Sequence, residues 1–296
     1  MPIKQDLNII KILSVRYFGD LAEKYSKYFE GLKQPILEAD LKILFRSYVS
    51  MIFFTTSVIF AFTFLSVIFY AVLFRLDLIT AVLWLVFAPI STALLTLTLA
   101  YLYPISRATQ RKSDIENNLP FAISNMAAVA GSGVPPRTIF KVLSQFEEYG
   151  ELARESRKIA RNIEFFGLDE ITSIKEVSLK TPSRNFRNLL EGIMSTIQSG
   201  GNITQFLKEQ SDKAIFNYKI KRQKYNENLS VYADIYTTLL IAAPLLLIAV
   251  LSVLSILSGS VFGLPTQDLI RLGVFFLIPT LNVIFIIFIH LSQPSV

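Results

Sequence analysis

Residues 117–136 read NNLPFAISNMAAVAGSGVPP, and within them Leu119, Ile123, Met126, Ala127 and Ala130 recur at short, helix-like steps. An α-helix turns once in about 3.6 residues, so this spacing gathers the apolar side chains on one face. Gly131 and Gly133 end the pattern. Pro135 then opens the next helix at its first position, where a missing N–H leaves no helical partner unpaired.

Alternating stripes and breakers continue to Ala214. Ile139, Val142, Leu143 and Phe146 mark a second helix closed by Gly150. Leu152, Ile159, Ile163 and Phe166 mark a third, with Arg154, Lys158 and Arg161 outward and Gly167 at its end. Asp169 is the expected N-cap of a weaker fourth helix, and Thr181 followed by Pro182 starts a fifth. In the fifth, Phe186, Leu189, Leu190, Ile193 and Ile197 keep the register of a buried stripe. After Gly200 and Gly201, Asn202 with Gln205 three residues on forms a capping box. No breaker follows until Pro244. The sixth helix therefore either runs on as a rod able to carry movement between two compartments, or bends in the polar run from Lys224 to Asn228.

Outside this polar insert the chain is strongly apolar: 52% of its residues are hydrophobic and only 18% charged. There are 28 uncharged residues between Arg46 and Arg75, 29 between Asp77 and Arg107, 33 from Ile235 to Gln267 and 18 from Leu272 to Ile289. About 20 apolar residues cross a bilayer, so these are four spans, the last extending to Leu291. The short RLD at 75–77 makes the first two an antiparallel hairpin. Pro89 is expected to kink the second span, and Trp84, two turns in, to pack rather than join an aromatic belt. The fold class is all-α: a polytopic membrane protein with four transmembrane helices and a cytoplasmic six-helix bundle. Its parts are an N-terminal segment 1–46, a hairpin 47–106, the helical domain 107–234 and a closing pair of spans 235–296.

In residues 1–46, Leu21, Tyr25, Tyr28 and Phe29 show helical spacing broken at Gly31 and Pro35. This is either an arm for a membrane surface or a partner, or a helix packed on the soluble domain. The start MPIKQDLNIIKIL has no long apolar core or cleavage site of a secretory signal, so the mature chain is expected to begin near Met1. Basic residues give the orientation. The N-terminal segment holds eight and the insert nineteen, against one each, Arg75 and Arg271, in the other two loops. Positive charge stays inside, which puts both termini and the insert in the cytoplasm.

Catalytic patterns are lacking. The chain has no cysteine and a single histidine, His290 at the edge of the last span, and no metal or other cofactor site is predicted. GGNITQFLK, 200–208, has glycines and a lysine without the P-loop spacing, so the chain is not itself an ATPase. Glu147, Glu148 and Glu151 sit at a helix end and in a first helical turn, where acids favour the dipole or face water. A transporter or channel would need titratable groups at membrane depth. Here only Asn282 and hydroxyl residues are polar there, and Asn282 reads as an interhelical hydrogen-bond donor. The net charge of +6 is spread among 23 acids and does not point to nucleic acid.

The 117–136 stretch, EFFG at 164–167, KTPSRNFRNLLEGI at 180–193 and SGGN at 199–202 together resemble the cytoplasmic domain of the type II secretion F / type IV pilus platform family, nearest its archaeal archaellum branch. The resemblance covers roughly Asp114 to Val250. It implies a protein of the inner or cytoplasmic membrane that engages a hexameric secretion ATPase and presents pilin or archaellin subunits for assembly, with no covalent step. Archaellum platform proteins carry two such domains in a longer chain. One domain between two pairs of spans also resembles the tight-adherence branch, which implies a homodimer or a heterodimer with a paralogous platform protein. A filament-unrelated membrane scaffold is the other reading of the same layout.

Two basic clusters flank the insert: RATQRK, with Arg107, Arg111 and Lys112, and KIKRQK, with Lys219, Lys221, Arg222 and Lys224. They read as anchors for lipid headgroups or as a docking surface for an acidic partner such as the ATPase, and the two roles can coexist.

Overall fold

The computed structural model describes residues 3–74, 77–257, 260–261 and 264–292. In chain order they form α1 (Ile3–Lys24), a 3-10 turn (Ser26–Leu32), α2 (Lys33–Glu38), α3 (Phe45–Leu73), α4 (Leu78–Gly131), α5 (Pro136–Leu143), a 3-10 turn (Glu147–Tyr149), α6 (Gly150–Glu164), α7 (Glu170–Ser178) and α8 (Arg184–Gln198). Then come α9 (Ile203–Ile235), a π-helical run (Tyr236–Ala242), α10 (Ala243–Leu257), β1 (Ser260–Val261), β2 (Leu264–Pro265), α11 (Thr266–Leu272), a second π run (Gly273–Leu277) and α12 (Ile278–Ser292). Strand structure is confined, among the described residues, to the antiparallel pair of Ser260 with Pro265 and Val261 with Leu264. The all-α class holds. Four continuous helical stretches are long and apolar enough to cross a membrane: Phe45–Leu73, Leu78–Gly131, Ile203–Leu257 and Thr266–His290. The expected RLD turn lies at Arg75 and Leu76, outside the described residues.

Two long helices depart from the reading of the sequence. The first helix of the insert is not separate: α4 runs 54 residues through Pro89, Pro104 and Pro120. The chain is also helical without a break from Ile203 to Leu257, so the polar run from Lys224 to Asn228 does not interrupt the helix. Its irregularity is the π run ending two residues before Pro244, and the second π run likewise ends two residues before Pro279. A proline ring donates no hydrogen bond and crowds the carbonyl four residues back, and i→i+5 bonding is one way for a helix to continue past it.

The chain divides into two compact units, 1–211 and 212–296, and the division falls inside α9. In the first unit the N-terminal segment is a packing element. Ala22, Phe29, Leu32 and Ile36 close a buried cluster with Tyr48, Val49 and Ile52 of α3, flanked by Leu97, Ala100, Tyr101 and Ile105 of α4. A larger core joins Ile115, Leu119, Ile123 and Met126 of α4, Ile139, Phe140 and Leu143 of α5, Leu152 and Ile159 of α6, and Ile174 and Val177 of α7, all buried. Phe186, Leu189, Leu190 and Ile193 of α8 are buried as the stripe requires. Gly133, Gly167 and Gly200, expected helix ends, take φ of +76°, +65° and +68°.

Several local expectations shift by a residue or two. Asp169 caps α7, accepting from the Thr172 amide at 2.9 Å. The cap of α8 is Ser183 rather than Thr181: its hydroxyl accepts from the Phe186 amide at 3.2 Å, and Pro182 falls outside the helix. Pro135 is the cap residue of α5 and Pro136 its first helical residue. Asn202 accepts from the Gln205 amide at 3.0 Å, but the Gln205 side chain turns to Glu209 at 3.1 Å, so only half of the capping box forms. Phe146 and Phe166 are exposed, because α5 and α6 end at Leu143 and Glu164 and the helical phase does not reach them. Trp84 packs poorly too, at 62% exposure.

In the second unit Tyr236 donates its hydroxyl to Asn282 Oδ1 at 3.3 Å, while Asn282 Nδ2 donates to the Ile278 carbonyl at 2.9 Å. Among the described residues Asn282 therefore accepts between helices and donates within its own. Tyr232 meets Phe288 edge-on with ring centres 5.8 Å apart.

Candidate functional site

The two basic clusters have opposite fates. Within α4, Arg111 is only 2% exposed and is not available at a docking surface. It lies between Ala108 and Ile115 on the face that packs inward, so helical phase rather than composition decides its role. Its Nε donates to Glu151 Oε2 at 2.8 Å, one terminal nitrogen donates to Glu155, and the other to the backbone carbonyl of Glu38 at the end of α2. One guanidinium thus ties together α2, α4 and α6.

Around it stands a balanced network. Glu151 also meets Arg107 at 3.3 Å and Arg154 at 2.5 Å, and Lys158 bridges Glu155 at 3.1 Å and Asp40 at 2.9 Å. Asp114 Oδ2 accepts from the Glu151 amide at 2.6 Å, serving the start of α6 from another helix. Gly150 permits this contact: its φ is +53°, and a Cβ there would come 2.5 Å from the same Asp114 oxygen. Burial works to raise the Glu151 carboxyl, but the Arg111 hydrogen bond and the charges of Arg111, Arg154 and Arg107 outweigh it and hold it below the ordinary range. Arg107, Gln110, Arg111, Asp114, Glu151 and Arg154 line a shallow cleft of about 290 Å³. With its cations already met by acids, the cleft has no surplus charge to recruit an anion.

Glu151 is thus not the solvated acid expected from its place in a first turn, although Glu147 and Glu148 are exposed as expected. A signal was present. Glu155 falls between Leu152 and Ile159 in the inward stripe of α6, and a carboxylate in an apolar stripe implies a buried partner.

Lys112 is exposed, and Arg107 is partly exposed beyond its contact with Glu151. On α9, Lys219, Lys221, Arg222 and Lys224 all reach solvent, and among the described residues none of the four forms an ion pair. Arg222 stands 6.0 Å from the ring centre of Tyr225. This quartet is a free positive surface, unlike the α4 cluster. No group of three or more His, Asp or Glu residues is placed to hold a metal ion among the described residues.

Residues 122–251, from within α4 to within α10, match the family model "Type II secretion system (T2SS), protein F". An uncharacterised protein of Methanocaldococcus jannaschii is 22% identical over 302 residues, covering 97% of this chain and 49% of that protein. Flagella accessory protein J of the same organism is 24% identical over 137 residues, covering 46% of this chain and 24% of its own length. Flagella accessory protein J of Methanococcus voltae is 26% identical over 137 residues, covering 46% and 25%. The chain therefore spans half or less of the length of these curated relatives. No solved structure matches it. Between helices long and apolar enough to cross a membrane, this multi-pass membrane protein thus carries a domain, residues 122–251, that matches the type II secretion system protein F model, and it is similar to the archaeal flagella accessory proteins J.

Proposed function

We propose that this chain is a platform of the cytoplasmic membrane that couples a hexameric secretion ATPase to the assembly of pilin- or archaellin-like subunits. The observation that carries the reading is the family domain at 122–251, held between apolar helices and bearing an unpaired basic quartet on α9. In this reading the termini and residues 107–234 are cytoplasmic, the chain is not an enzyme, and it works as a homodimer or with a paralogous platform protein. Membrane lipids are further partners and nucleic acid is not.

A mechanical coupler needs a surface for its motor. Lys219, Lys221, Arg222 and Lys224 fit an acidic one, with Arg107 and Lys112 as lesser contributors and Arg111 withdrawn into the fold. Charge pairing there sets docking rate and register, and salt weakens it over a screening length of about 8 to 10 Å. The test is to reverse the four α9 residues to Glu and measure ATPase binding by the detergent-solubilised protein, and filament assembly in cells. Docking requires loss of both with helicity retained. Unaltered ATPase affinity at low salt, accompanied by lower membrane levels, would instead assign the quartet to lipid headgroups.

A further inference from the structure

The N-terminal arm carries an apolar strip that the other described residues of the first unit leave open. On α1, Ser14, Gly19 and Ala22 face inward, and Phe18 meets Phe54 of α3 edge-on with ring centres 6.2 Å apart. Leu13, Tyr17 and Leu21, spaced four apart, form a second strip that is exposed, Tyr17 at 69%. Arg16, Asp20 and Glu23 occupy the flank beyond it.

Position says what covers the strip. Phe18 lies at Phe54, whereas Asp20 and Glu23 reach Arg46 at 3.8 and 3.1 Å. The two helices therefore run antiparallel, and α1 before Phe18 lies along α3 beyond Phe54, inside the apolar run that crosses the membrane. That run of 28 uncharged residues is about 42 Å of helix against about 30 Å of hydrocarbon. Its surplus of about eight residues corresponds to the stretch up to Phe54 that the arm wraps, in which Tyr48, Val49 and Ile52 are buried. Past it, Phe62, Leu65 and Phe69 face outward, as a lipid-contacting surface does. The bilayer boundary thus falls near Phe54. Tyrosines suit that zone, with ring in the apolar layer and hydroxyl in the wet one: Tyr25 meets Phe53, Tyr28 meets Tyr25, Tyr101 meets Phe29, and Tyr17 directly precedes Phe18.

We propose that the strip Leu13, Tyr17 and Leu21 is immersed in the interfacial layer of the lipid bilayer, making α1 a half-embedded anchor beside the first span. Apolar contact drives the immersion rather than lipid charge, since six basic and five acidic residues nearly cancel between Ile12 and Arg46. The inference is independent of the motor and the filament.

Trp84 is the only tryptophan, so Trp84→Phe gives a silent background for single reporters. Into it go Tyr17→Trp, Leu21→Trp and, as a solvated reference on the helical domain, Phe165→Trp. Each full-length variant is reconstituted into phosphatidylcholine vesicles with or without lipids dibrominated high on the acyl chain. Immersion requires blue-shifted emission at positions 17 and 21, at least twofold quenching by the bromolipid, and acrylamide quenching several-fold weaker than at position 165. Emission at positions 17 and 21 matching position 165, with bromolipid inert, overturns the proposal. Using two reporters guards against one substitution disturbing α1, and trypsin resistance like that of the parent confirms the fold of each.

Discussion

Tyr48 donates its phenolic hydrogen to the backbone carbonyl of Ala100 at 2.8 Å, and that carbonyl is the one Pro104 leaves without its helical partner. A proline at position i cannot donate to residue i−4, so a long helix carrying one exposes an acceptor. The first span supplies the missing donor to the second. Tyr48→Phe removes only the hydroxyl and should destabilise the full chain by about 1–3 kcal/mol, the cost of an unmet buried acceptor. Thermal unfolding in detergent, followed by helical circular dichroism, measures it. Adding Pro104→Ala restores a backbone donor and should recover most of the loss; no recovery would show that the carbonyl is served otherwise.

Arg111→Met should be far worse than its conservative volume suggests. It leaves Glu151 and Glu155 buried side by side without their cation, a loss of about 3–5 kcal/mol. Combining it with Glu155→Leu should return most of that stability, because an apolar replacement of a buried pair is often neutral. Lys112→Met, one residue on but exposed, should stay within about 0.5 kcal/mol of the parent. If both single variants cost the same, Arg111 is not the hub.

Glu151 gives the network a pH dependence with a definite sign. Its folded value is depressed, so the unfolded chain binds the proton first and the stabilisation is present above the ordinary carboxylate range of about 4.3. It is lost as the pH falls through that range toward the lower folded value. Denaturation midpoints should therefore hold between pH 7 and about pH 5, then drop. Glu151→Gln should make the drop shallower. An equally steep drop would place the responsible carboxylate elsewhere.

Because the chain has no cysteine, single introduced cysteines report sidedness. Ser173, central in the insert, is fully buried and a poor site, whereas Ser199 at the end of α8 is exposed. With the 27-to-2 partition of basic residues as the guide, Ser199→Cys should react with an impermeant maleimide only after the membrane is opened. Asp268→Cys, exposed in the first turn of the helical stretch that forms the fourth span, should react in intact cells. The reverse pattern would invert the orientation.

Periodicity was the strongest guide to this fold. The stripe of α8 and the glycines that end α4, α6 and α8 could be read directly, because stripe phase and left-handed φ are properties of a few neighbouring residues. The 54-residue α4 could not, since the donor that meets the carbonyl left open by Pro104 lies 52 positions from Ala100. Arg111 escapes the sequence for a related reason: RATQRK reads as one basic cluster, but a helix turns Arg111 inward and Lys112 outward. Its acceptors lie 40, 44 and 73 residues away, a distance no local pattern spans.

The two π-helical runs set the facing of the closing spans. A turn closed by i→i+5 bonds holds one residue more than an α-turn, and one residue of α-helix is about 100° of rotation. A line of side chains followed along α9 therefore does not emerge on the same side of α10, although the helix never breaks. Moving that extra residue by one turn would re-aim the apolar face of α10 without changing chain length. It would also take Tyr236, the first residue of the run, out of register with Asn282. Azimuth is thus a degree of freedom here, stored beside Pro244 and again beside Pro279, and a hydropathy profile does not register it.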